Sequence, residues 1–139
     1  PVPYWDIDGL RRVRERAPFP VMADESCFSP QDASRIVKSD AADILNIKLM
    51  KCGGLYRALQ INAVAEAAGL NCMLGCMLES RLAIAAGAAL VASHPNFIYA
   101  DLDSFLEFAD LPLLKGTFDF EAPFIRLGEA PGIGVELDI

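Results

Sequence analysis

The chain has 139 residues, about one domain by length, and 53% of them are hydrophobic, which excludes an intrinsically disordered protein. Its net charge of −7 argues against nucleic acid or an anionic membrane as the main partner, because both attract a basic surface. No apolar run approaches the ~20 residues of a membrane span, and the N-terminus does not resemble a signal peptide.

The N-terminal third predicts a short strand with one helix before it and one after it. Residues 8–17 are charged, with apolar positions spaced for one face of a short helix. The apolar run Pro20–Ala23 predicts a strand that ends at two acidic residues. Ser29 and Pro30 are typical of the N-cap and first position of a helix, so a second helix is expected to begin there.

The rest of the chain predicts three further strands that alternate with helices, followed by a different kind of tail. One helix is expected from Leu55 until Gly69, and Ser80 is expected to cap the next. From residue 112 onward, glycine, proline and aromatic residues predict short antiparallel strands and turns. The three predicted strands are Ile44–Leu49, Asn71–Gly75 and Phe97–Ala100.

The spacing of the four strands indicates an α/β fold. Their first residues recur every 24 to 27 residues, which suits repeated βα units and a parallel sheet whose strands are buried on both faces. Four strands cannot close a (β/α)8 barrel, which needs eight strands and ~250 residues. A doubly wound open sheet remains possible on the pattern alone, although the sequence has neither a GxGxxG after the first strand nor a Walker loop.

The cysteines predict free thiols rather than a disulfide framework or a zinc site. None of the four forms a Cys-x-x-Cys pair, and His94 is the only histidine. A chain this apolar has little need of disulfides, so we predict a reducing, cytoplasmic setting.

Polar residues lie where the predicted strands end. Asp24 and Glu25 follow the first strand, Lys48 lies near the end of the second, and Asp101 and Asp103 follow the fourth. In a parallel βα sheet or barrel these ends share one rim, where active sites are built. A carboxylate and an amine on that rim suit a divalent cation and a general base.

Each of these residues also has a structural interpretation. Acids after a strand often begin a polar loop or cap a helix, and a lysine in a strand often lies at a sheet edge. Lys51 is predicted to point to solvent or toward the helix after Gly53 and Gly54, and the two glycines are expected to form a turn. Taken singly the residues favour structural roles, and together they favour a site.

Three segments in their order resemble the C-terminal half of the enolase superfamily, in its muconate-lactonizing subgroup. They are "PVMADES", "NIKLMKCGG" and "YADLDS". Asp24 and Lys48 are 24 residues apart, and Asp101 and Asp103 follow Lys48 by 53 and 55 residues. The Asp-x-Asp pattern of Asp101 and Asp103 resembles the one that ends the eighth strand in dipeptide epimerases of the L-Ala-D/L-Glu epimerase type. The resemblance implies the C-terminal half of a (β/α)8 barrel: residues 1–111 with parent strands 5–8 in about four parallel βα units, and residues 112–139 returning to a capping domain.

The resemblance also implies a role for each rim residue. Asp24 matches the third metal ligand, Lys48 one of two acid/base lysines, and Asp101 and Asp103 the carboxylates that bind the substrate's ammonium group. Glu25 is expected to hold Lys48 or the metal site. The implied reaction is a 1,1-proton transfer at the α-carbon of a residue in a dipeptide, through an enolate stabilised by Mg²⁺. Burial and the nearby cation are expected to lower the pKa of Lys48.

The same resemblance implies that part of the enzyme lies outside this chain. Pro1 looks like the proline of the family's Glu-Gln-Pro motif, so two metal ligands, the paired lysine and the first four barrel strands are expected in a missing N-terminal half. With only one protein ligand for Mg²⁺, the chain alone is predicted to be inactive. The expected partners are a small-molecule dipeptide, the missing half and, for the intact enzyme, identical subunits in a homo-oligomer, with no nucleic acid or membrane.

Two alternatives stay open. Muconate cycloisomerase, o-succinylbenzoate synthase and N-acylamino-acid racemase share the equivalents of Asp24 and Lys48, but their substrates lack a free ammonium group at that place. Asp101 and Asp103 therefore favour a dipeptide. The second alternative is a non-catalytic half-barrel that serves as an assembly module.

Overall fold

The computed structural model describes residues 2–109, 114–116 and 118–138. Its main sheet has four parallel strands in the order β1-β2-β3-β4, and the tail adds two antiparallel pairs, β5 with β8 and β6 with β7. Four parallel βα units and a tail of short antiparallel strands are what the resemblance to half of a (β/α)8 barrel implied. The strands are β1 (Met22–Ala23), β2 (Ile44–Lys48), β3 (Asn71–Gly75), β4 (Phe97–Ala100), β5 (Leu114–Gly116), β6 (Asp119–Glu121), β7 (Phe124–Arg126) and β8 (Val135–Leu137).

Helices connect the parallel strands. Ser29 accepts a hydrogen bond from the Asp32 N–H and Pro30 takes the first helical position, which confirms the predicted start of the second helix. Ser80 is the N-cap residue of α5, although its side chain makes no capping bond there. The helices are α1 (Ile7–Arg14), α2 (Pro30–Lys38), α3 (Leu49–Cys52), α4 (Leu55–Ala67) and α5 (Arg81–Ser93), and a 3₁₀ turn spans Ser104–Glu107.

The core lies between the sheet and its helices. Leu45 and Ile47 of β2 are buried in one cluster with Leu74 of β3, Ile36 of α2 and Ile61 of α4. Successive side chains of a strand point to opposite faces, so Asn46 and Lys48 of β2 face the other side of the sheet. The helices thus cover the outer face, and the inner face is left for polar side chains.

Strand register places the predicted rim residues together. The parallel pairing of β2 and β3 sets Lys48 opposite Gly75, and that of β1 and β2 sets Ala23 opposite Leu45. The main-chain N–H of Asp101, just beyond β4, donates to the Leu74 carbonyl at 2.9 Å. All four strands therefore end at the same edge of the sheet.

Three details of the main sheet differ from the prediction. β1 begins at Met22 rather than Pro20, because the Val21 N–H donates to the Asp43 carboxylate at 2.7 Å instead of to a neighbouring strand. β2 ends at Lys48, because α3 begins directly at Leu49. β4 is not buried on both faces: it is an edge strand of the described sheet, and three of its four residues are exposed.

The double glycine forms the predicted turn. Gly53 ends α3 with φ of 89° and Gly54 precedes α4 with φ of 103°, both in the left-handed region that side chains disfavour. The predicted domain boundary near residue 112 lies outside the described residues, so the division of the chain stays a prediction. Within the described ranges, none of the helices is long and apolar enough to cross a membrane.

Candidate functional site

The ends of β1 and β2 bring Asp24 and Lys48 into contact. Lys48 Nζ lies 2.9 Å from Asp24 Oδ2 and 3.9 Å from Glu25 Oε1. The Lys48 side chain is only 13% exposed, whereas Glu25 lies open to solvent. Lys48, which is 24 residues from Asp24 in the sequence, is thus its neighbour in space, as the predicted rim requires.

Lys51 is a further member of this cluster, and the prediction that it points to solvent or toward the next helix is wrong. Its side chain is 3% exposed, and its Nζ lies 2.8 Å from Asp24 Oδ1, 2.5 Å from the Asp24 carbonyl oxygen and 2.9 Å from the Asn46 carbonyl oxygen. The one-turn helix α3 turns this residue back over the strand ends. The available signal was the three-residue spacing from Lys48, which puts both lysines on one side of a helical turn.

Electrostatics within the cluster favours the charged forms. Burial raises the pKa of Asp24, but hydrogen bonds from Lys51 and Lys48 outweigh it and hold that pKa below its usual value. Burial lowers the pKa of Lys48, as predicted, but the hydrogen bond to Asp24 and the charges of Asp24, Glu25 and Asp101 raise it above its usual value. Without a bound cation, the pKa of Lys48 is therefore raised rather than lowered, and the lowering expected beside a metal ion stays a prediction.

Gly75 lies opposite Lys48 and packs against its side chain. A Cβ at this position would lie 2.7 Å from Asn46 Oδ1 and 3.2 Å from Lys48 Cε. Asn46 is 6% exposed, and its Oδ1 has no hydrogen-bond partner within the described parts of the chain. The absence of a side chain at Gly75 makes room for both neighbours. Sequence reasoning singled out neither Gly75 nor Asn46, because their contact depends on strand register.

Asp101 and Asp103 form a second cluster with Cys76. The three potential ligand atoms lie within 4.8 Å of one another, and Cys76 Sγ is 3.9 Å from Asp103 Oδ1. Both aspartates are exposed. Asp103 precedes the 3₁₀ turn, but its carboxylate makes no capping hydrogen bond to it, so the helix-capping interpretation does not account for this residue. Sequence reasoning missed Cys76, although it directly follows β3 at the same rim.

A buried hydrogen-bond pair connects the loop after β3 to the segment after β4. The Glu79 N–H donates to Ser104 Oγ at 3.1 Å, and that hydroxyl donates to the Glu79 carbonyl oxygen at 3.3 Å. The Met77 N–H donates to Glu79 Oε1 at 3.1 Å, which closes the loop on itself. These bonds hold Cys76 beside Asp103.

A magnesium ion would find one protein ligand beside Lys48. The carboxylate of Asp24 is a hard oxygen donor of the kind Mg²⁺ prefers, and it is 32% exposed. Within the described ranges, the cluster of three potential ligands is Cys76 with Asp101 and Asp103, and Asp24 is not part of it. Asp24 thus fits as one member of a magnesium site whose other protein ligands these residues do not supply.

Comparison with known families decides where the chain belongs. The family described as "Enolase C-terminal domain-like" matches residues 1–139. The chain belongs to this enolase C-terminal family. The sequence-based resemblance to the enolase superfamily is thereby confirmed.

Relatives in the enolase C-terminal family are isomerases. The chain is 44% identical over 136 residues to the "Hydrophobic dipeptide epimerase" of Enterococcus faecalis, covering 97% of this chain and 38% of the relative. It is 40% identical over 139 residues to the "N-succinyl-L-Arg/Lys racemase" of Bacillus cereus, covering 99% and 37%. The crystal structure of the E. faecalis dipeptide epimerase "complexed with Mg and dipeptide L-Leu-L-Tyr" superposes with a TM-score of 0.91 at 45% identity, covering 97% of this chain and 38% of that chain. The chain therefore spans little more than a third of these relatives.

Proposed function

We propose that this chain is the C-terminal part of a Mg²⁺-dependent enzyme that epimerises dipeptides by 1,1-proton transfer at the α-carbon. The observation that carries the proposal is the 2.9 Å contact between Lys48 Nζ and Asp24 Oδ2 at the rim that also holds Asp101 and Asp103. An acid/base group, a metal ligand and two carboxylates for an ammonium group are among the groups that this reaction needs. The 44% identity to a dipeptide epimerase supports the choice of substrate class.

Lys48 exchanges a proton with the substrate α-carbon from one face. With its raised pKa, the amine holds a proton that it can deliver, and it acts as the base only after it gives that proton up. Asp101 and Asp103 orient the dipeptide by binding its α-ammonium group through their exposed carboxylates. Mg²⁺, when bound with Asp24 as one ligand, supplies positive charge that stabilises the negative charge developing on the substrate carboxylate.

The chain alone is proposed to be inactive, because proton transfer at the opposite face needs a second acid/base group and the metal needs further ligands. The 38% coverage of the dipeptide epimerase relative supports this view, since a longer polypeptide would supply them. The test is to incubate the purified 139-residue chain with L-Ala-L-Glu in Mg²⁺ buffer. Epimerisation by that chain would show this part of the proposal to be wrong.

The substrate class can be tested with the complete enzyme in D₂O. We expect deuterium uptake at the α-carbon of dipeptides, and a large loss of that uptake in the Asp101→Asn and Asp103→Asn variants. The second candidate is N-acylamino-acid racemisation, which the 40% identity to an N-succinyl amino-acid racemase favours. Uptake into N-succinyl amino acids with none into dipeptides would favour that candidate. Product formation from cycloisomerase and o-succinylbenzoate synthase substrates tests the other related activities.

The cellular setting and assembly of the complete enzyme remain predictions. The cytoplasmic setting rests on four free cysteines, three of them buried. A homo-oligomer is proposed for the intact enzyme, and sedimentation of that protein tests it. If the complete protein turned over none of these substrates, the non-catalytic half-barrel would be favoured.

A further inference from the structure

Lys51 is a buried ionisable group to which the proposed mechanism gives no task. Lys51 contributes no atom to the proton transfer, yet its side chain is more deeply buried than that of Lys48, at 3% exposed against 13%. Its ammonium group also lies 5.7 Å from the centre of the Phe28 ring, within range of a cation–π contact. A charge buried to this extent is costly unless its partners are well placed.

The partners of Lys51 match its donors in number. An ammonium group has three N–H donors, and Lys51 directs them at the Asp24 carbonyl oxygen, Asp24 Oδ1 and the Asn46 carbonyl oxygen. Two of these acceptors belong to one residue, so Lys51 holds both the main chain and the side chain of Asp24. Oδ2, the other carboxylate oxygen, is the one that contacts Lys48.

Besides Lys51, the Cys27 N–H donates to the Asp24 carbonyl oxygen at 2.9 Å, within the turn that follows β1. The ladder between β1 and β2 pairs only two residues on each strand, Met22 with Ile44 and Ala23 with Leu45. Asp24 lies just beyond the end of that ladder. Because Lys51 also bonds to a carbonyl oxygen of β2, it connects the end of β1 to the central strand where the ladder stops.

We propose that Lys51 is a positioning residue that fixes the orientation of Asp24 as a metal ligand, by holding both its carbonyl oxygen and its Oδ1. This inference rests on the proposed function only in taking Asp24 as a metal ligand. Groups that hydrogen-bond to metal ligands typically change metal affinity by about 10–100-fold when they are replaced. Lys51→Met keeps the length of the apolar stem but removes all three donors. Lys51→Arg keeps the charge but replaces a compact ammonium with a planar guanidinium that cannot direct three donors at the same acceptors.

The experiment measures metal binding by the complete enzyme directly. Mg²⁺ affinity is measured by titration calorimetry and Mn²⁺ binding by electron paramagnetic resonance, for the wild type, Lys51→Met and Lys51→Arg. We expect both variants to lose about 10–100-fold in affinity, with part of the turnover restored at high Mg²⁺. Lys115→Met is the matched control: it removes the same charge from an exposed lysine, paired with Asp138 in the tail, and should bind Mg²⁺ like the wild type.

Each remaining outcome decides the proposal. A Lys51 variant that folds and binds Mg²⁺ like the wild type overturns it. Failure of both variants to fold, judged by circular dichroism and melting, would assign Lys51 to stability alone and also overturn it. A wild-type enzyme that binds Mg²⁺ but turns over no dipeptide would refute the proposed substrate, while the affinities of the variants still decide the role of Lys51.

Discussion

Gly75, which lies beside Lys48, offers a test that separates effects on the site from effects on overall stability. Gly75→Ala adds one methyl group, whose carbon would lie 2.7 Å from Asn46 Oδ1, 3.2 Å from Asn46 Nδ2 and 3.2 Å from Lys48 Cε. The buried Asn46 amide cannot leave toward solvent, so it must shift, and the Lys48 stem must shift with it. Overpacking of this kind costs about 1–3 kcal/mol, and the entropy gained by replacing glycine offsets about 0.4–1 kcal/mol.

The expected net loss of unfolding free energy in Gly75→Ala is therefore up to about 2.6 kcal/mol, measured by urea unfolding of the complete enzyme. Gly128→Ala is the matched control, because no heavy atom lies within 4 Å of its added carbon and its φ is outside the left-handed region. We expect the control to be neutral or slightly stabilised. Displacement of Lys48 should also lower kcat by about 10–100-fold in Gly75→Ala alone, as small misplacements of catalytic groups do.

A double variant checks the cause. Asn46→Ala removes the amide that the new methyl group would meet, so Gly75→Ala should cost less in that background, with a coupling free energy of about 0.5–3 kcal/mol. Equal unfolding free energies for Gly75→Ala and Gly128→Ala, together with unchanged kcat, would refute the inference that Gly75 makes room for Asn46 and Lys48.

Two further predictions concern the supports of the rim. Asp43 accepts hydrogen bonds from Arg14 Nε at 2.8 Å and the Val21 N–H at 2.7 Å, so Asp43→Asn should lower the unfolding free energy by about 1–3 kcal/mol at pH 7. Burial raises the pKa of Asp43, but these two bonds hold it below its usual value. The stabilisation is therefore complete above the unfolded pKa of 3.8 and is lost as the pH falls through the lower folded pKa. In urea unfolding from pH 7 to pH 2, Asp43→Asn should lose less unfolding free energy on acidification than the wild type. Equal losses in the two proteins would contradict the assignment. Ser104→Ala removes both hydrogen bonds to the buried Glu79 main chain, so unfolding experiments should give a loss of about 1–3 kcal/mol, and a neutral result would show that this pair does not hold the two loops together.

Local sequence patterns determined most of the secondary structure. β3 and β4 occupy the predicted residues, and the start of α2 follows from Ser29 and Pro30. These features depend on hydrophobic runs and on capping residues that lie within a few positions of one another in the sequence. The family followed from the spacing of three short segments, and the enolase C-terminal match confirms it.

Tertiary structure decided how the site residues contact one another. That Gly75 lies opposite Lys48 is a matter of register between strands 27 residues apart, and the contact of Lys51 with Asp24 depends on a one-turn helix packed over a neighbouring strand. The raised pKa of Lys48 likewise needs the carboxylates that follow β1 and β4 in place beside it. Local periodicity carries no information on such pairings, because they arise only when distant segments pack together.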